Sequence, residues 1–172
     1  MMIIRSLYVF FVLMVAVSCK SGEKTVESQT NESSSNNAET AQESFLVKQK
    51  ATPCFGECPV YELTIYEDGR LSYHGKNFVE FKGHYTAQLS DDKIREIKRR
   101  IEKSGFFNFE EEYDNPNITD LPSIITTVQL NGETHRVKSR YETPDEVRRF
   151  HKFIQLIPDD IELREFEPQD AE

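Results

Sequence analysis

The chain has 172 residues and sets 30 acidic side chains against 21 lysines and arginines, a formal net charge of −9. That balance disfavours nucleic acid and anionic lipid surfaces as partners. Seven scattered glycines form no glycine-rich phosphate loop, and although tryptophan is absent, 12 phenylalanines and 7 tyrosines are available for a core.

At the N-terminus Arg5 precedes an apolar run over residues 7–17, which leads into Ala16-Val17-Ser18-Cys19. The run is too short to span a bilayer, which needs about 20 residues, but has the length of a secretory signal core. The small residues before Cys19 resemble a bacterial lipobox. That resemblance implies a signal peptide over residues 1–18, cleavage after Ser18, a diacylglyceryl thioether on Cys19 and an acyl chain such as palmitate on the new amine. Several acyl chains hold a protein at a membrane durably where one gives only marginal attachment. The expected membrane contact is therefore the lipid on Cys19, and the expected address is the cell envelope. Lys20, in place of the aspartate that favours inner-membrane retention in enteric bacteria, points to the outer membrane.

Residues 19–44 carry the lipidated cysteine and a polar stretch in which Val26 is the one branched aliphatic and no aromatic occurs. Such a composition cannot offset its chain entropy by burial and reads as a disordered tether. Its root-mean-square span is about 25–30 Å. Residues 45–158 hold the expected folded domain, and residues 159–172 read as an acidic C-terminal tail.

Within the domain, Cys54-Phe-Gly-Glu-Cys58 lies between Pro53 and Pro59, which disfavour helix in the residues before them. With Cys19 assigned to lipid, Cys54 and Cys58 remain to pair, and export makes pairing chemically sensible. A small structural disulfide is preferred here over a reversible redox pair, free thiols or a metal site. Residues 61–66 then alternate, with Tyr61, Leu63 and Ile65 on one side, and residues 70–75 alternate in return. A three-residue loop over Glu67-Asp68-Gly69 sets Ile65 opposite Leu71 and Leu63 opposite Tyr73, giving one apolar face. A third strand is predicted from Val79 to Leu89 with Gly83 in its interior.

Ser90 is placed to cap a helix carrying Ile94, Ile97 and Ile101 as its apolar stripe, with Gly105 as the left-handed stop. Residues 107–122 follow as an irregular acidic loop. Glu110, Glu111, Glu112, Asp114, Asn117 and Asp120 make it the candidate binding loop, since polar loops on rigid scaffolds often carry sites. Calcium is the metal such oxygens would suit, yet Pro116 and Ile118 interrupt the alternation a calcium loop requires, so no metal is assigned. Residues 124–130 and 133–139 form a second hairpin about Asn131-Gly132. Thr143-Pro-Asp-Glu146 reads as a capping box opening a second helix that Pro158 ends. The expected fold is α+β: a largely antiparallel sheet of about five strands, in the order βββ-α-ββ-α, with two helices packed on one face.

CPVYELTIYEDGRLSYHG, the apolar run through Gly83, the NFEEEYD and TDLPS stretches and the Asn-Gly hairpin resemble an uncharacterised family found in lipoproteins of Bacteroidota, domain of unknown function 6438. The resemblance spans roughly residues 50–157. It implies a fold boundary and a cell address but no catalytic residue.

No chemistry-bearing constellation emerges. His74, His84, His135 and His151 fall on separate predicted elements, outside any motif such as H-E-x-x-H, and read as surface-strand or helix-face residues. No cofactor motif is found. The expectation is a non-enzymatic binding or assembly module on a lipid tether, partnered by an envelope protein or polymer through the acidic loop or a sheet edge. The alternative is an envelope thiol-disulfide redox protein using Cys54 and Cys58.

Overall fold

The computed structural model describes residues 44–167. The expected signal peptide, Cys19 and the expected tether up to residue 43 lie outside the described residues, as do residues 168–172 of the expected acidic tail.

Eight strands form one sheet, rather than the five expected: β1 (Phe45–Ala51), β2 (Val60–Tyr66), β3 (Arg70–Asn77), β4 (Gly83–Gln88), β5 (Glu112–Tyr113), β6 (Ile124–Leu130), β7 (Glu133–Ser139) and β8 (Arg164–Glu165). Their order is β5-β7-β6-β1-β2-β3-β4-β8, and the pairing is antiparallel except between β5 and β7. Two helices, α1 (Asp91–Ser104) and α2 (Asp145–Gln155), pack with the inward side chains of the sheet into a single apolar cluster. Leu63, Ile65, Ile97, Ile101, Phe106 and Ile154 are all essentially without solvent contact. Each large apolar side chain so buried contributes about 2 kcal/mol relative to its exposed state.

The first hairpin has the expected register, with Ile65 opposite Leu71, Leu63 opposite Tyr73 and Glu62 opposite His74. Gly69 closes its turn at φ 86°, and a side chain there would also strike the Leu89 carbonyl at 2.9 Å, so two constraints fix glycine at that position. The second hairpin turns at Asn131 and Gly132, both at positive φ, as a type I′ turn requires. Ser90 caps α1 by accepting the Lys93 amide, and left-handed Gly105 ends it.

Four features differ from expectation. β1 enters the middle of the sheet, between β2 and β6. A bulge after Phe45 places Leu46 and Val47 in succession against the core, which erases the alternation that would have marked a strand. The third strand begins only at Gly83, because residues 78–82 bend across the sheet end before β4. The proposed capping box does not form. Pro144 is extended, with ψ 151°, and stands as the N-cap without a side-chain hydrogen bond, while Glu146 pairs with Arg149 at 2.9 Å. Finally, the stretch after Pro158 returns to the sheet as β8 against Tyr85 and Thr86.

Because β1 runs antiparallel to β2, with Phe45 opposite Tyr66 and Ala51 opposite Tyr61, the two ends of the sheet differ in character. Phe45 and both hairpin turns lie at one end. The cysteine loop lies at the other.

Candidate functional site

The segment from 52 to 59 leaves β1, closes on itself through the Cys54–Cys58 disulfide with Cα atoms 5.8 Å apart, and re-enters the sheet at β2. Thr52 anchors it: its amide donates to the Ser123 carbonyl at 3.0 Å and its hydroxyl accepts the Ser123 amide at 2.8 Å. The closed loop holds Phe55 out in solvent, 93% exposed. Phe78, also exposed, sits at φ 52°, a conformation that is strained for a bulky side chain. Two depressions of about 170 and 140 Å³ share Pro59, Tyr61 and Gln155; Phe78 and exposed Leu156 line the larger, Cys58 and Pro122 the smaller. This end of the sheet therefore gathers apolar side chains that the core does not use.

Beneath it lies a buried polar cluster. The Tyr61 hydroxyl donates to Gln49 Oε1 at 2.7 Å, and Gln49 Nε2 donates to Thr126 Oγ1 at 3.0 Å and to the His151 carbonyl at 3.1 Å. Burial, then Tyr73, pushes the Tyr61 phenol far above its usual range. Burial alone pulls the His151 imidazole down to about 4, and its Nε2 finds no partner. Both groups stay neutral at physiological pH. The cluster ties β1, β6 and α2 to one another. Sequence reasoning missed it, reading His151 as a helix-face residue; polar Gln49 and Thr126 at inward strand positions were the available signal.

The other histidines have separate surroundings. His74 and His84 stack across β3 and β4 with ring centroids 3.7 Å apart, while His135 Nε2 lies 2.8 Å from the Phe109 carbonyl. Burial, then His84 and Lys76, holds the His74 imidazole below its usual range.

In the acidic loop, Asp114 receives Lys138 at 3.0 Å and Arg140 at 3.1 Å, and Glu112 receives Lys138 at 2.7 Å. The hydrogen bond from Lys138 comes first among the causes that keep the Asp114 carboxyl below its usual range. Arg140 also donates to the Ile118 carbonyl, and the Asn117 amide donates to Asn115 Oδ1 at 3.0 Å. Asp120, at φ 66°, accepts the Thr119 hydroxyl at 2.9 Å. Glu110 and Glu111 remain exposed. Glu112 and Asp114 thus fasten the loop to the end of β7 and to Arg140 just beyond it. Among the described residues, no three His, Cys, Asp or Glu side chains converge as a metal site.

These elements define a class: a two-layer α+β domain with one mixed sheet, two helices over one face and a disulfide-closed loop at one sheet end. The chain belongs to the family described as Domain of unknown function (DUF6438), whose model matches residues 45–158. A search of the curated proteins finds no match.

Closing so small a ring restricts the unfolded chain by about 2 kcal/mol. The double variant Cys54→Ser with Cys58→Ser is accordingly expected to melt about 5–10 °C lower. A calorimetric scan with an unchanged midpoint would remove the bond from the stabilising interactions. Thiol-exchange activity present in the parent and abolished in the variant would favour the redox alternative.

Proposed function

We propose that this protein is a lipid-anchored, non-enzymatic binding module of the cell envelope that engages another envelope protein through the disulfide end of its domain. Phe55 carries the reading. A covalently closed loop restricts the residue it displays, so a large ring is offered to a partner at little further cost in conformational entropy. Exposed aromatic anchors of this kind dominate the energetics of many protein interfaces. Phe78 and Leu156 extend the apolar surface, and Glu57, Glu80 and Asp159 surround it with negative charge. A partner with an apolar pocket and a basic rim fits that surface.

The lipobox-like sequence around Cys19 supports the anchoring. A chain that enters the domain at Phe45 leaves the cysteine loop at the far end of β1, about 20 Å away at the usual strand rise. The acidic loop, ending at exposed Leu121 and at Pro122 of the smaller depression, extends the same end and supplies the charged part of the contact.

The test is crosslinking of the full-length lipidated protein in its own cells, followed by mass spectrometry, comparing the parent with Phe55→Ser. Phe55 makes no core contact, so the variant should keep its melting temperature. Loss of an aromatic anchor worth about 2 kcal/mol reduces affinity about thirtyfold, and the partner's recovery should fall accordingly. Undiminished recovery of the same partner would remove Phe55 from the interface, and failure to capture any specific partner would count against the protein-binding reading.

A further inference from the structure

The helices cover one face of the sheet and leave the other open. Across that open face one row sets Thr127, Lys48, Thr64, Ser72 and Thr86 side by side, with Arg136 and Arg164 at its two ends. A second row runs from Lys138 through Ile125 and Lys50 to Glu62, His74 and His84. In a chain of net charge −9 this face is cationic. Glu62 is shared by Lys50 at 2.9 Å and Lys76 at 3.0 Å, and among the described residues Lys48, Arg136 and Arg164 have no carboxylate partner. Lys48 instead lies over the Phe45 ring, 4.1 Å from its centroid.

Between β6, β1 and β2 the face dips into a depression of about 280 Å³, lined by Lys48, Lys50, Glu62, Thr64, Ile125 and Thr127. The composition is selective. Two ammonium groups suit an anion, but a carboxylate in the same depression accepts hydrogen bonds and repels a multiply charged phosphate. Hydroxyls repeating across the sheet at about 4.8 Å offer both donors and acceptors, and Ile125 supplies an apolar wall. Anionic charge, abundant hydroxyls and an apolar ring face occur together in an acidic sugar. The open, shallow face accepts an extended chain rather than enclosing a small molecule. Negative charge elsewhere on the domain is screened beyond about 8 Å at physiological ionic strength, so the local cations decide the contact.

We propose that the open sheet face binds a carboxylate-bearing polysaccharide, seating one acidic sugar with its carboxylate on Lys48 and Lys50, its hydroxyls on Thr64, Thr127 and Glu62, and its ring against Ile125. This surface is distinct from the disulfide end and needs none of its residues.

The experiment is isothermal titration of the full-length lipidated protein, held in neutral phosphatidylcholine nanodiscs, with alginate as the uronate polymer, dextran as the neutral one and inorganic polyphosphate as the competing polyanion. Alginate should bind, dextran should not, and polyphosphate should bind more weakly than alginate. Lys48→Gln combined with Thr127→Ala should weaken alginate about tenfold, the loss expected for one charged contact, without shifting the melting temperature, while Phe55→Ser should leave it unchanged. Equal binding of alginate and dextran, polyphosphate binding tighter than alginate, or undiminished binding by the double variant would each overturn the assignment.

Discussion

Gly75→Ala is expected to destabilise the domain by about 3 kcal/mol or more, the range reserved for substitutions that force backbone apart. Gly75 pairs with Tyr61 on one side and Gly83 on the other, on the inward face of β3. A methyl group there would lie 1.8 Å from the Phe81 carbonyl oxygen, 3.0 Å from its carbon and 2.9 Å from Val79 Cγ2. Two of those atoms belong to main chain, so no rotamer change relieves the clash. The segment from 78 to 82 would have to lift away, withdrawing Val79 and Phe81 from the core they flank and Phe81 from its edge contact with Tyr85 at 5.8 Å. Denaturant titration checks this directly. A midpoint within experimental error of the parent would contradict the close crossing at this position.

Acid should weaken the fold through His151 before it reaches most carboxylates. In the unfolded chain the imidazole takes up its proton near the usual 6.5, whereas in the folded chain burial delays uptake to about 4. Between those values the unfolded state holds more protons, so stability is fully present above pH 6.5 and falls as the pH drops toward 4. The gap corresponds to about 3 kcal/mol, most of it lost by pH 4.5. His151 is only 2% exposed, so little solvent screening reduces that figure. His74 shifts in the same direction but stands on the open face and contributes little. Glu62, held down to about 2 by its hydrogen bonds from Lys50 and then Lys76, acts in a lower window, its contribution present above pH 4.5 and lost toward pH 2. Urea midpoints at pH 7.5 and 4.5 should therefore differ strongly in the parent and much less in His151→Leu. The leucine variant should be about as stable as the parent at pH 7.5, because Nε2 has no partner to lose. An equally steep pH dependence in both proteins would exclude His151 as its source.

The elements that the sequence displays clearly are those governed by local rules. Alternation through Tyr61, Leu63 and Ile65, with a turn whose geometry demands Gly69, fixes the first hairpin's register. Ser90 and Gly105 bracket α1 by capping chemistry that does not depend on distant residues. What escapes is set by tertiary context. In β1 a bulge and inward-facing Gln49 break the pattern, and only the distant partners Tyr61, Thr126 and His151 explain the polar residue. β5 and β8 are too short for any periodicity, and Val79 and Phe81 continue the alternation through a bend. At the candidate sites the acidity of the loop is plain, but Lys138 at the end of β7 and Arg140 just beyond it, which hold Asp114, lie 24 and 26 residues later. The polar residues of the open face are individually unremarkable surface residues. They become rows only when six or seven strands are laid side by side.

The two outermost strands carry a further consequence. Held by the lipid anchor proposed above, the domain would diffuse in two dimensions and meet its own copies at high lateral density, where a long bare strand would template end-to-end polymerisation. Here each border of the sheet ends in a strand of two residues, with Lys138 and Arg164 beside the terminal pairings. Glu112–Tyr113 over the end of β7 and Arg164–Glu165 over the middle of β4 interrupt the ladder that a neighbouring copy would have to extend. Borders interrupted in this way would let anchored copies crowd on a surface without joining into a fibre.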